Sequence, residues 1–169
     1  MTVQRLLSLG VGATVMLAAV SASAQTPAPA APPQPQYGAP ISLDQAKKMM
    51  AGAEAEAKKN NLSMVIAILD SGGLLVMLQR LDNTQWGSIE VAKDKAYSAV
   101  AFRRPTKAFS DAIVQGGAGL RLLNLTGASL IEGGVPIVVD GKVIGSIGVS
   151  GGSAQQDAQV AQAGADAVK

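Results

Sequence analysis

The stretch VDGKVIGSIGVSGGSAQQDAQVAQAG, residues 139–164, combines a hairpin signal, a series of glycines and the start of a helix. Asp140 and Gly141 stand between two apolar runs, which predicts a type I′ turn that joins two antiparallel strands. Ser153 followed by Gln156 fits a capping box, which predicts that a helix begins there. Because a hairpin is followed at once by a helix that must pack on it, the stretch favours the α+β class.

Glycines occupy positions 145, 148, 151 and 152, between the strand pattern and the helix pattern. Strand interiors normally avoid glycine, so Gly145 and Gly148 indicate that another backbone comes close, and the alanine-rich last helix is the expected neighbour. The loop of Ser150, Gly151 and Gly152 stands before a helix start, where free N–H groups can hold the anion of a ligand. The packing interpretation and the binding interpretation are compatible.

Outward from this stretch, the patterns predict the order helix, two strands, two helices, three strands, helix. The two strands of the first hairpin are almost continuously apolar, which predicts that both of their faces are covered, in part by a partner subunit. Hairpins between neighbouring strands favour an antiparallel sheet with helices packed on it. The predicted segments are residues 42–60, 65–69, 74–78, 87–105, 106–117, 128–152 and 153–168.

The first 40 residues differ in composition from the rest of the chain. Residues 1–24 have Arg5, an apolar run and an Ala-x-Ala site, which together predict a signal peptide cleaved before Gln25 and a periplasmic or secreted protein. Residues 25–40 contain six of the eight prolines, which predicts an extended linker without a packed core. Residues 41–169 are then the folded domain, and no membrane association is expected after cleavage.

Composition excludes several functional classes. The formal net charge is +2 and aromatic residues make up 3% of the chain, so nucleic-acid binding is not expected. The chain contains no histidine and no cysteine, so a histidine base, a cysteine nucleophile and a zinc ligand set are missing, and no catalytic residue is predicted. Lys93, Asp94 and Lys95 stand side by side, which is typical of a solvated helix face.

Three blocks carry a resemblance to a known family: AILDSGGLLVMLQRLDN, AKDKAYSAVAFRRPT and GGVPIVVDGKVIGSIGVSGGSAQQDAQVAQAGA. Together they resemble the GlcG/HbpS family, a haem-binding or haem-degrading domain that is also found at the C-terminus of some corrinoid adenosyltransferases. The resemblance covers nearly all of residues 41–169. It implies a profilin-like α+β domain with a five-stranded antiparallel sheet, assembly into homo-oligomers, and binding of haem or a related tetrapyrrole in some members.

Because histidine is the commonest haem ligand, its absence directs attention to other donors. Tyr97 is a candidate, since a phenolate oxygen can bind ferric iron. Thr106 matches a region where the resemblance implies a haem-contacting threonine, and Arg103 or Arg104 is suited to pair with a carboxylate. The identity of any metal is left open, and the thioether candidates, for which core packing is the other interpretation, are Met49, Met50, Met64 and Met77.

The sequence supports three functional hypotheses. The favoured one is an exported small-ligand-binding protein, with haem as its cofactor or ligand and a role in haem or iron handling or in redox sensing. The second is an enzyme that acts on haem or a small organic acid through Asp, Glu, Lys or Tyr. The third is an oligomeric scaffold without a cofactor. The predicted ligand-binding residues are Tyr97, Arg103, Arg104, Thr106, Ser150, Gly151 and Gly152.

Overall fold

The computed structural model describes residues 33–168. The predicted signal peptide (residues 1–24), residues 25–32 of the predicted linker and Lys169 lie outside the described residues. The elements in chain order are β1 (Gln36–Tyr37), α1 (Leu43–Lys59), β2 (Val65–Asp70), β3 (Leu75–Arg80), α2 (Ser88–Ala101), α3 (Lys107–Val114), a 3-10 helix (Gly117–Asn124), β4 (Gly134–Val139), β5 (Lys142–Ser150) and α4 (Ala154–Asp166).

Strand β5 lies at the centre of the sheet, because it pairs with three other strands. Strands β4 and β2 run antiparallel to β5 on its two edges, and β3 runs antiparallel to β2 on the outside. The predicted α+β class with a five-stranded sheet is confirmed. The profilin-like assignment stays a prediction.

The origin of the fifth strand differs from the prediction. Residues 128–133 form no strand, so the predicted third strand of that region is wrong. The fifth strand is β1, in the segment predicted to be an unpacked linker, and it runs parallel to β5 with Gln36 opposite Lys142. At these residues β4 occupies one edge of β5. Strand β1 therefore pairs with the opposite edge, the same edge that β2 uses further along β5. The sheet is therefore mixed rather than purely antiparallel.

Residues 33–41, which we call the N-terminal strap, are held on the domain by hydrogen bonds. The N–H groups of Gly38 and Ile41 donate to the carbonyls of Val143 and Ile144, both at 2.8 Å. The hydroxyl of Tyr37 donates to the carbonyl of Val100 at 3.0 Å, at the end of α2. Proline lacks an N–H group, so the strap depends on its non-proline residues for these bonds.

The helices form two layers on opposite faces of the sheet. Helices α1 and α4 cover one face, where the core includes Met49, Ile66 and Ile147. Helix α2 covers the other face over β2, β4 and β5. Strand β2 is therefore buried on both faces, as predicted, whereas β3 keeps exposed apolar residues because α2 does not extend over it. The helices of this chain thus leave β3 partly uncovered, and the predicted cover by a partner subunit stays a prediction.

The glycines of β5 permit close approach, although not of the predicted helix. A Cβ atom on Gly148 would collide with the carbonyl oxygen of Ala92 and would lie 2.5 Å from the nitrogen of Ala96. Both of these residues belong to α2. Helix α4 lies on the opposite face of the sheet, and its own Gly164 allows it to approach α1, because a Cβ atom there would lie 3.0 Å from the carbonyl oxygen of Met49. Close packing at Gly148 is confirmed, with α2 rather than α4 as the neighbouring helix.

The local predictions at helix ends and at the turn are confirmed. Complete capping boxes begin α1 at Ser42 and α4 at Ser153. Asp140 and Gly141 have φ values of 49° and 74°, as a type I′ turn requires at its two central positions. The close contact of Gly148 with α2 places the C-terminal half of β5 directly under that helix, which carries the residues described next.

Candidate functional site

A cavity of about 740 Å³ opens beside the outer face of α2. One wall is the helical stripe Val91, Asp94 and Tyr97, and the other is the loop of residues 127–131, which ends in Leu130 and Ile131. The spacing of three residues places the helical side chains on one face. The volume lies within the range typical of small-molecule sites, and the walls are apolar apart from a carboxylate, a phenol, the hydroxyl of Ser129 and the loop backbone.

Tyr97 is held between two glycines that come from different segments. A Cβ atom on Gly73 or on Gly127 would lie 3.3 Å from the ring of Tyr97, so any larger residue would press on the ring. Both glycines have positive φ values, 80° and 77°, which L-amino acids rarely adopt. The ring is fixed in this way while Tyr97 remains 47% exposed.

The hydroxyl of Tyr97 has no hydrogen-bond partner within residues 33–168. A phenol oxygen that is both exposed and unpaired is able to accept or donate a hydrogen bond to a ligand, or to bind ferric iron as a phenolate. Tyr97 also lines two smaller cavities. One, of about 300 Å³, reaches Leu74 and Leu75, and the other, of about 290 Å³, reaches Tyr37. Tyr97 therefore lines all three of these cavities.

The two arginines predicted to bind a ligand lie away from the cavity of 740 Å³. Arg103, with a φ of 51°, donates to the carbonyl of Pro35 at 3.2 Å and lies 5.4 Å from the ring centre of Tyr37. Arg104 lies 5.5 Å from the ring centre of Phe109. Arg103 thus holds the N-terminal strap, and Arg104 packs on α3.

Thr106 is fully buried beneath the start of α3. Its N–H group donates to the carbonyl of Gly134 at 3.0 Å, and its hydroxyl accepts from the N–H group of Gly134 at 2.9 Å. Both polar groups of the threonine are therefore used to join α3 to β4. In this structure Thr106 does not line the cavity beside Tyr97.

The glycine loop before α4 binds an anion that belongs to the protein itself. The N–H group of Gly152 donates to Oδ1 of Asp157 at 2.9 Å, and Nζ of Lys95 lies 2.6 Å from Oδ2. Lys95 also donates to the carbonyl of Val149 at 3.1 Å. Ser150 is buried and donates to Ser88 at 3.2 Å. The loop thus holds an internal carboxylate, whereas binding of a ligand's anion by Ser150, Gly151 and Gly152 stays a prediction.

Lys95 is 1% exposed, so the interpretation of residues 93–95 as a wholly solvated face is wrong. Burial raises the pKa of the Asp157 carboxyl, and the hydrogen bond from Lys95 opposes that rise. The pair joins α2 on one face of the sheet to α4 on the other. No sequence pattern signals it, because the two residues are 62 positions apart.

The thioether candidates lie in the core. Met49, Met50 and Met64 are buried, and Met77 packs against the same apolar cluster, so they fill space beneath α1 and α4.

Of the predicted site residues, Tyr97 lines the cavity of 740 Å³, and the others lie at separate places in the domain. Among residues 33–168 no group of three or more metal-ligating side chains comes together. No helix within those residues is long and apolar enough to cross a membrane.

Comparisons with known proteins agree with this architecture. The family model described as "Haem degrading protein HbpS-like" matches residues 41–166. The Protein GlcG of Escherichia coli strain K12 is 40% identical over 110 residues, which cover 65% of this chain and 81% of that protein. An uncharacterized 15.0 kDa protein of Citrobacter freundii, from the dhaT-dhaS intergenic region, is 38% identical over 133 residues and covers 78% of this chain and 94% of its own.

A solved structure with a bound ligand is also similar. The crystal structure of a PduOC:heme complex superposes with a TM-score of 0.71 at 30% sequence identity. The match covers 77% of this chain and 96% of the PduOC chain. The similarity therefore extends over almost the whole of that domain.

Proposed function

The chain belongs to the HbpS-like family, and on that premise we propose that it binds haem or a related tetrapyrrole in the cavity beside Tyr97. The observation that carries the proposal is the exposed phenol of Tyr97, which has no hydrogen-bond partner within residues 33–168, at the edge of an apolar cavity of about 740 Å³. The haem complex of the similar PduOC domain supports the choice of ligand.

The residues around the cavity fit a haem group in two respects. Val91, Leu130 and Ile131 offer apolar surface to the macrocycle, and Tyr97 offers an oxygen ligand to ferric iron. Asp94 is the charged residue of the lining and would repel a propionate, whereas Lys93, which lines the neighbouring smaller cavity, would attract one. When bound, haem would supply one-electron chemistry at its iron, while the protein supplies binding and orientation.

The two tyrosines of the chain provide a matched test. Both are 47% exposed, yet Tyr37 already donates its hydroxyl to α2 and Tyr97 does not. Purified protein is titrated with hemin while the visible spectrum is recorded, and Tyr97→Phe and Tyr37→Phe are compared with the wild type. We expect the wild type to bind hemin saturably. Tyr97→Phe should shift the Soret band relative to the wild-type complex and weaken binding about tenfold or more, whereas Tyr37→Phe should leave the band unchanged.

Two results would contradict the proposal. Non-saturable uptake by the wild type would exclude a haem site. Saturable binding with identical spectra in both tyrosine variants would show that iron is bound elsewhere. Ile131→Asp, which places a charge in the apolar wall, tests the location separately, because it should weaken hemin binding even if another atom ligates the iron.

We further propose that the chain is exported and serves haem or iron handling or redox sensing outside the cytoplasm. The support is the predicted signal peptide in residues 1–24. Cell fractionation followed by N-terminal sequencing tests it, with Gln25 as the expected first residue of the extracytoplasmic form. Full-length protein confined to the cytoplasm would contradict this part of the proposal.

A further inference from the structure

A separate cavity, of about 520 Å³, opens at the outer strand of the sheet, where the end of α1 meets the end of β3. Its walls are residues 54 and 58 of α1, residues 61–63 of the loop before β2, and residues 79–82 at the end of β3. We call it the edge cavity. It shares no lining residue with the three cavities around Tyr97, and its volume lies within the range of small-molecule sites.

The two loops that border the edge cavity are held by hydrogen bonds. Asn61, with a φ of 53°, turns the chain away from α1, and the N–H group of Leu62 donates back to the carbonyl of Ala57 at 2.9 Å. On the other side, the hydroxyl of Thr84 donates to the carbonyl of Leu81 at 2.7 Å. Because both walls are already ordered, a ligand would bind without the entropy cost of fixing them.

The charged side chains of the edge cavity balance. Glu54 and Asp82 are acidic and Lys58 and Arg80 are basic, so the lining as a whole carries no formal net charge. A ligand whose own charges also cancel is complementary to such a lining, whereas a simple anion or cation meets as much repulsion as attraction.

Two of the four charges compensate each other. Nζ of Lys58 lies 2.5 Å from Oε1 of Glu54. Hydrogen bonds from Lys58 and then from Gln79 hold the pKa of the Glu54 carboxyl below its ordinary value. Glu54 is therefore ionised at neutral pH and already has its partners.

The other two charges, Arg80 and Asp82, line the same cavity without pairing. Arg80 donates one N–H group to the carbonyl of Thr84 at 3.0 Å, which leaves the rest of its guanidinium group available. Asp82 is exposed, and within residues 33–168 it has no hydrogen-bond or ion-pair partner. An arginine fork is suited to a carboxylate, and a carboxylate is suited to an ammonium group. The edge cavity thus offers each end of a zwitterion its own partner.

The edge cavity also has an apolar side. Leu62 and Leu81 line it and pack against the core cluster beneath α1 and α4. An aliphatic group on the ligand would cover these leucines and remove apolar surface from water. A sugar would satisfy neither these leucines nor the two unpaired charges, so the lining favours an aliphatic zwitterion over a neutral polyol.

We propose that the edge cavity binds a small zwitterion with an aliphatic side chain, the chemistry of a free amino acid or a short peptide. The carboxylate of the ligand pairs with Arg80, its ammonium group pairs with Asp82, and its side chain contacts Leu62 and Leu81. The site is independent of the proposed haem site, because the two cavities have no residue in common.

Isothermal titration calorimetry of the haem-free protein tests the charge requirement with four probes. L-leucine and L-leucyl-L-leucine carry both charges, whereas isocaproate lacks the ammonium group and isoamylamine lacks the carboxylate. We expect saturable binding of leucine, of the dipeptide or of both, and the tighter of the two identifies the natural source. The two analogues should bind about tenfold more weakly or worse, since each leaves one charged side chain without a partner.

Matched variants test the location of the site. Asp82→Asn and Arg80→Gln should each weaken binding of the zwitterion about tenfold, whereas Asp140→Asn and Arg121→Gln, at exposed positions elsewhere, should not. Asp82→Asn should also lose the preference for leucine over isocaproate, an effect that loss of stability alone does not produce. Far-UV circular dichroism checks that each variant is folded.

The proposal would be overturned by a wild type that binds neither leucine nor the dipeptide saturably. Equal affinity for the singly charged analogues, or equal losses in the variants and their controls, would overturn it as well. Tyr97→Phe should leave binding of the zwitterion unchanged, so failure of the proposed haem site and failure of the edge cavity would be recognised separately.

Discussion

Replacement of Gly148 by alanine tests how closely α2 lies on the sheet. The new methyl group would collide with the carbonyl oxygen of Ala92, and it would lie 2.5 Å from the nitrogen and 2.9 Å from the Cβ of Ala96. The first two of these atoms are backbone, so no side-chain rotation relieves the contact. Helix α2 has to move outward by about 1 Å to restore ordinary van der Waals distances.

The cost of that movement can be worked out from the buried face of α2. Ala92, Ala96 and Ala99 are fully buried there. These alanines are taken to make on the order of 30 atomic contacts, each worth about 0.15 kcal/mol. Because a gap of about 1 Å forfeits up to half of each contact energy, the lost packing energy is about 2 kcal/mol. Overpacking strain adds about 1–3 kcal/mol. We therefore expect the free energy of unfolding to fall by about 3–5 kcal/mol, out of a total of about 5–15 kcal/mol for a domain of this kind.

Urea unfolding followed by far-UV circular dichroism measures this loss. The matched control is Gly87→Ala at the start of α2, because Gly87 has a helical φ of −57° and a Cβ atom there meets nothing within 4 Å. We expect the control to change the free energy of unfolding by less than about 1 kcal/mol. A Gly148→Ala protein as stable as the control would refute the close approach of α2 to β5.

Three further predictions concern stability. Lys95→Met should cost about 3–5 kcal/mol because it leaves the Asp157 carboxylate buried without its cation, and adding Asp157→Leu should recover most of that loss in urea titrations; no recovery would contradict the pairing. Tyr37→Phe should cost about 1 kcal/mol and speed proteolysis before residue 41, and unchanged proteolysis would show that the hydroxyl does not hold the strap. The hydrogen bond from Gln159 lowers the pKa of Glu56 in the folded protein. The stability that this bond contributes is therefore fully present above pH 4.5, the pKa of the group in the unfolded chain, and it is lost as the pH falls through the lower pKa of the folded protein. Glu56→Gln should therefore flatten the acid side of the stability curve, and an unchanged slope there would refute the assignment.

The features that the sequence predicts correctly are those encoded within a few residues. The capping boxes at Ser42 and Ser153 each need two side chains three positions apart, and the turn at Asp140 and Gly141 needs only two neighbouring residues. Such signals do not depend on the rest of the chain. They fix the ends of α1, β5 and α4, and with them much of the fold.

The features that the sequence misses depend on distant partners. The role of β1 requires the edge of β5, which lies about a hundred residues later, and the Lys95–Asp157 pair joins two helices on opposite faces of the sheet. Tyr97 was identifiable as a candidate by its side chain alone. The glycines that frame its ring, Gly73 and Gly127, come from separate turns, so only the folded structure reveals the cavity.

The N-terminal strap determines where this domain can be truncated or labelled. The family match begins at residue 41. A recombinant chain that starts there would lose β1, the N–H group of Gly38 that donates to Val143, and the carbonyl of Pro35 that accepts from Arg103. Tyr37 of the strap contacts the end of α2 and shares a cavity with Tyr97, so a fluorophore attached to the strap would disturb optical measurements of binding. A label placed after α4, on the opposite face of the sheet, would leave that cavity undisturbed.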